Sequence, residues 1–218
     1  MFAEQNKGEP HWDTYSALER RLLRLSYLIG IDDSMMDIYS MELAGIICTA
    51  CERMEILAKE IYDHMVDFKD TDSKLDPGKS VEHYTLTPDS FYLFEINKIC
   101  RIDRCFVGLK PGCFSFQRYE KTFFPFANIT ADGPVSGVWD YSKIPGTKET
   151  RTIEWQKGYL ALRESKLNRV AEYGTVINAI VTLSAFCVLV RYHSRLILGR
   201  SISSDGGIMH SELFLCNI

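Results

Sequence analysis

Apolar residues recur at helical spacing through residues 15–31, with Leu18, Leu22, Leu25 and Ile29 on one side and Glu19, Arg20, Arg21 and Arg24 largely on the other. The pattern predicts an amphipathic helix with a basic outer face. Beyond an acidic turn, Ser40 is placed to cap a second helix and Glu42 falls in its first turn. Leu43, Ile46, Ile47, Ala50, Met54, Leu57, Ala58 and Ile61 then keep the same rhythm. Residues 67–88 lose it and read as a surface loop rich in Asp, Ser, Lys, Pro and Gly. Thr87-Pro88-Asp89 then has the chemistry of a third helix start, with Tyr92, Leu93, Ile96, Ile99 and Cys100 on its inward stripe.

The middle of the chain changes character. Aromatic and polar residues alternate over residues 104–126 around Lys110-Pro111-Gly112, which suits a short β-hairpin. Residues 127–150, rich in Gly, Pro, Thr and Asp, read as an irregular loop whose Trp139 folds onto the core. Thr152 is placed to cap a fourth helix carrying Trp155, Tyr159 and Leu162 on one side. A fifth helix over residues 170–198 is apolar nearly all round, and residues 213–216 form a short strand-like tail. The pattern predicts a mainly α protein: one domain over residues 1–218, a helical bundle of about five helices with a small β-hairpin insertion and a short C-terminal strand.

Charge and cysteine content narrow the classes. The 218 residues hold 25 Lys and Arg against 29 Asp and Glu, a formal net charge of −4, so bulk attraction to nucleic acid is excluded and no DNA sequence readout is expected. Seven cysteines, an odd number, and a polar N-terminus point to the cytoplasm. The longest apolar run, residues 176–190, is short for a bilayer and holds Asn178, Thr182 and Ser184, so no membrane partner is expected.

Known catalytic patterns are sparse. Cys48 and Cys51 stand three apart with no second metal-binding pair, and the five histidines are scattered, so no metal and no cofactor is expected. Nucleophile elbows and phosphate-binding glycine loops are missing from the sequence. Glu52 and Glu55 share a helix face and Glu55 can pair with Lys59, a spacing that suits metal binding or proton transfer but more commonly marks a surface ladder of ion pairs. Arg20, Arg21 and Arg24 form either a solvated face or a phosphate-contacting patch, and Lys157, Arg163, Lys166 and Arg169 supply positive charge to the helix that carries Tyr159.

Residues 38–61 and 154–192, with the Phe-Phe-Pro-Phe segment between them, resemble a HEPN-like family of prokaryotic helical proteins, some tied to RNA cleavage in toxin and phage-defence systems. The matching positions are Tyr39, Ser40, Glu52, Glu55, Lys59, Pro125, Phe126, Trp155, Tyr159, Arg163 and Asn178. Where that family keeps an asparagine and a histidine, this chain has Leu160 and Glu164, and no Arg-x(4–6)-His signature follows. Metal-independent RNA cleavage needs a cation for the developing phosphorane charge and an imidazole near neutral pKa.

The resemblance implies a homodimer serving a bacterial or phage stress or defence system. It would bind RNA or a partner protein through Lys157, Tyr159, Arg163, Lys166 and Arg169. Two alternatives stand beside that reading. One is a non-catalytic oligomerising module; the other is an active endoribonuclease, with Arg163, Glu164, Glu55 and Glu52 as its catalytic groups.

Overall fold

The computed structural model describes residues 9–67, 88–110, 112, 114, 122–130, 133–140, 150–164, 168–199 and 211–217. Six helices run along them: α1 (Pro10–Ile29), α2 (Met41–Asp67), α3 (Pro88–Cys100), α4 (Trp155–Glu164), α5 (Val170–Tyr173) and α6 (Val176–Leu196). The strands are β1 (Phe106–Leu109), β2 (Thr122–Asn128), β3 (Ser136–Asp140), β4 (Thr150–Ile153) and β5 (Phe214–Asn217).

Local chemistry sets several helix ends. Pro10 opens α1, and the helix stops at Gly30, whose φ of 58° is the left-handed setting that a Cβ resists. The Gly30 N–H then donates to the Ser26 carbonyl at 2.9 Å. α2 begins as its sequence suggests, with Ser40 Oγ accepting from the Leu43 N–H at 3.1 Å. α6 is buried throughout residues 176–190, and α1, α2, α4 and β2 all pack on it. Among the described residues it is the one helix long and apolar enough to cross a bilayer, and 83% of that stretch lies inside the fold.

The expected bundle with a hairpin is not the architecture. All five strands join one antiparallel sheet in the order β4-β3-β2-β1-β5, so the fold is α+β. Residues 127–150, read as an irregular loop, supply the whole of β3 and the start of β4. Thr152 is a strand residue paired with Val138 rather than a helix cap. These strands span four or five residues each, too few for alternation to stand out against Gly and Thr. The C-terminal strand is present and pairs with β1, placing Cys216 opposite Val107.

Two details explain why the sheet fits its helices. In β2, Phe123 and Phe126 are both fully buried although three apart, which strict alternation forbids. A register irregularity between Phe124 and Asn128 resolves it, and Pro125, which has no N–H to offer a ladder, sits there. In β3, a Cβ on Gly137 would stand 2.9 Å from Val181 Cγ1 and 3.0 Å from Pro125 Cα, so only glycine lets the strand lie this close to α6.

The single long helix expected over residues 170–198 is broken at Gly174–Thr175. Three backbone bonds fill the break: Ser40 N–H to Gly174 O, Val176 N–H to Ile38 O and Ile177 N–H to Met36 O, each 3.0 Å. Thr175 caps α6 through its hydroxyl, and Asn178 Nδ2 donates to Tyr173 O at 2.8 Å.

Candidate functional site

The segment expected to bind RNA or a partner begins where Trp155 roots α4 in the core. Trp155 Nε1 donates to Pro125 O at 2.8 Å and its ring meets Phe126 edge-on at 6.0 Å. The root fixes which side of α4 faces α2. Tyr159, one turn on, is buried, and Arg163, one turn further, lays its guanidinium 5.4 Å from the Tyr159 ring centre. Arg163 Nη1 is 3.8 Å from Glu55 Oε1 on α2. Burial, and then the hydrogen bond to Glu55, push the Tyr159 phenol well above its ordinary range, so it stays protonated.

Two other cations of the segment also have acidic companions. Lys157 pairs with Glu154 at 2.8 Å, and Arg169 with Glu172 at 2.7 Å. Each pair lies in solvent, and each removes one unit of the positive charge that the sequence concentrates here. Lys166 lies outside the described residues. Glu164 ends α4 in solvent and Glu52 is exposed on α2; neither lines the cavity between the helices. That cavity is bounded by Met54, Glu55, Leu93, Trp155 and Tyr159. Its volume of about 10 Å³ has room for about one water, far below a nucleotide. The structure thus gathers Glu55, Tyr159 and Arg163 and leaves Glu52 and Glu164 apart from them.

Two buried polar groups escape the sequence reading. Glu19, assigned to the outer face of α1, is 2% exposed and accepts from Tyr15 Oη at 2.8 Å, Leu213 N at 2.8 Å, Glu212 N at 3.0 Å and Ser211 Oγ. Its spacing was a usable signal, because Tyr15, Leu18, Glu19 and Leu22 follow the i, i+3, i+4, i+7 rule of a single face. The second group joins two of the histidines read as scattered. His11 at the start of α1 and His193 near the end of α6 meet over Glu60 of α2, their rings 4.9 Å apart. Burial is the largest influence on His11 and lowers its pKa, favouring the neutral ring. His193-Ser194 interrupting an apolar helix was the only trace of this cluster in the chain.

One end of the molecule exposes apolar side chains. Tyr27 and Leu28, at the end of α1, are 82% and 80% exposed, and Ile38, Tyr39 and Met41, leading into α2, are about half exposed. Comparison of the chain with known family models, characterised proteins and solved structures gave no match.

Proposed function

We propose that this protein is a non-catalytic docking module of a bacterial or phage stress or defence system. In this reading it is HEPN-like in origin and works in the cytoplasm as a homodimer. The observation that carries the proposal is the offset charge of α4 and the start of α5, where, among the described residues, Lys157, Arg163 and Arg169 each stand against a carboxylate. Counterion release by unopposed cations is the main source of affinity for RNA, and these pairs leave little of it to release. Cleavage has less support still: Tyr159 is held protonated, and Glu52 and Glu164 are apart from the Glu55–Arg163 pair.

Docking, by contrast, has apolar surface to work with. Tyr27, Leu28, Ile38, Tyr39 and Met41 are the kind of exposed side chains that mark association surfaces, and aromatic residues are enriched in them. The proposed occupant is a second copy of the chain, consistent with the dimer that the resemblance implies.

Light scattering on the eluting protein at ~1 to ~100 μM tests this. A dimer is expected, converted to monomer by the double change Tyr27→Glu with Leu28→Glu. A strict monomer at every concentration would sink the docking reading. Titration of a labelled single-stranded RNA at low salt is the second arm. Tight binding with a steep salt slope, lost on Arg163→Ala, would replace docking by RNA recognition.

A further inference from the structure

His11, Glu60 and His193 are far apart in the chain, yet the packing of α1, α2 and α6 brings one donor atom of each within 4.8 Å of the others. Among the described residues no other group of three histidines, cysteines or carboxylates meets that condition. A single oxygen, Glu60 Oε2, stands 3.1 Å from His11 Nε2 and 2.9 Å from His193 Nε2. On the far side of the His193 ring, Nδ1 faces Glu9 Oε1 at 3.5 Å without a hydrogen bond. Glu9 is itself buried and is fixed by Ser194 Oγ, 2.5 Å from both carboxylate oxygens.

The His193 ring is therefore clamped between two carboxylates while only 7% exposed. A neutral imidazole has one N–H and one lone pair. With the proton on Nε2 for Glu60, the Nδ1 lone pair opposes the Glu9 carboxylate. With the proton on Nδ1 for Glu9, the Nε2 lone pair opposes Glu60. Either tautomer leaves a nitrogen lone pair facing a carboxylate oxygen, at greatest cost on the Glu9 side, where both groups are buried. A metal cation at Nε2 removes it, as would a proton added to the ring or to the facing carboxylate.

His11 favours the metal, because it turns a second imidazole nitrogen toward the same carboxylate oxygen. Two imidazoles and one glutamate are the ligand set of open zinc sites, and nitrogen with carboxylate oxygen suits first-row divalent ions generally. Glu9 then has the role of the outer carboxylate that accepts Nδ1–H and fixes the tautomer of a metal-binding histidine. We infer that His11, Glu60 and His193 bind one divalent transition-metal ion of the zinc class, with Glu9 orienting His193. The two carboxylates balance the ion's charge. The Glu60 side chain, 44% exposed, leaves a path for the ion and a coordination position open to water. This site is independent of the docking surface, so either can fail without the other.

The test uses the full chain, stripped with a chelator and titrated with zinc chloride by calorimetry and with cobalt(II) by visible absorption. One ion per chain is expected, with a cobalt spectrum free of thiolate charge-transfer intensity and a Tm that rises with metal. Glu60→Gln, at a half-open position, should keep its unfolding transition in the absence of metal and weaken zinc at least ~100-fold, and His11→Gln likewise. Glu9→Gln should cost the ~10–100-fold typical of an outer-shell partner. Asp37→Asn, an exposed control paired with Arg151, should change nothing. Nitrogen NMR of the His193 ring should show Nδ1 protonated and Nε2 bound to metal. The inference is overturned by no one-to-one binding at micromolar zinc, by affinity unchanged in Glu60→Gln and His11→Gln, or by a thiolate cobalt spectrum. A His193 ring still doubly protonated in saturating zinc overturns it too.

Discussion

The seam between α1 and the C-terminal strand, and the face between α2 and α4, each set a glutamate beside a tyrosine. At the seam, Tyr15 is fully buried and its Oη donates to Glu19, which also accepts two backbone N–H groups and the Ser211 hydroxyl. At the face, Tyr159 is buried but Glu55 and Arg163 reach solvent, their side chains 28% and 49% exposed. The residue types match and the consequences differ. Glu19 is tied by fixed donors, three of them in bonds buried from water, so it joins α1 to the residues leading into β5. Glu55 Oε1 is buried, but Arg163 stands 3.8 Å from it with half its side chain in water, so their pairing sets local charge more than stability.

The sharpest way to break this contrast is to remove the seam carboxylate. Glu19→Ala would take their shared acceptor from Tyr15 Oη, Leu213 N and the Ser211 hydroxyl, leaving Ser211 Oγ, at 3.0 Å from Tyr15 Oη and 3.2 Å from Leu213 N, to replace it in part, at about 1–3 kcal/mol for each group that stays unpaired. A loss of about 3–5 kcal/mol in urea unfolding is expected, with β5 released first in hydrogen exchange. A change under 1 kcal/mol would show that Glu19 is a surface residue after all.

The same burial argument explains what could be read in advance. α2, α3 and α6 were legible because their apolar residues repeat over many turns, and the Ser40 cap was legible because a capping hydroxyl acts on its own neighbours. The sheet was legible only in its β1–β2 hairpin and C-terminal strand, because β3 and β4 depend on pairing across distant segments and on a glycine at position 137, whose need arises only once Val181 packs against it. Arg163 and Glu55 were both named, yet nothing local says that they would meet and offset each other. His11, Glu60 and His193 share no spacing at all. Their meeting is a property of three helices packing, and sequence spacing finds ligand sets only when they lie on one element or one loop.

A double-mutant cycle on Arg163→Ala and Glu55→Ala sharpens the exposed side of the comparison. The coupling energy should fall within about 0.2–1 kcal/mol and shrink further in 0.5 M salt. Arg163→Ala alone should cost somewhat more than the coupling, since its stem and guanidinium also cover the Tyr159 ring. A coupling above about 2 kcal/mol would mean that the pair is shielded from solvent as Glu19 is, and the two sites would no longer differ in kind.

The smallest effect belongs to Arg21 and Glu42, which join α1 to α2 at 2.8 Å on the surface, with side chains 38% and 44% exposed. The Arg21 hydrogen bond holds the Glu42 carboxyl below its ordinary pKa of 4.5. A carboxyl with a lower pKa in the folded chain than in the unfolded one stabilises the fold above the unfolded value. That contribution fades as the pH drops through the folded value. Glu42→Gln should therefore lower Tm slightly at pH 7 and leave it unchanged once acid has protonated Glu42 in the native protein as well. Solvent screening keeps the difference below about 0.5 kcal/mol. If the gap between Glu42→Gln and the unchanged protein widened on acidification, the direction of the shift, and with it the ion pair as the link between these helices, would be wrong.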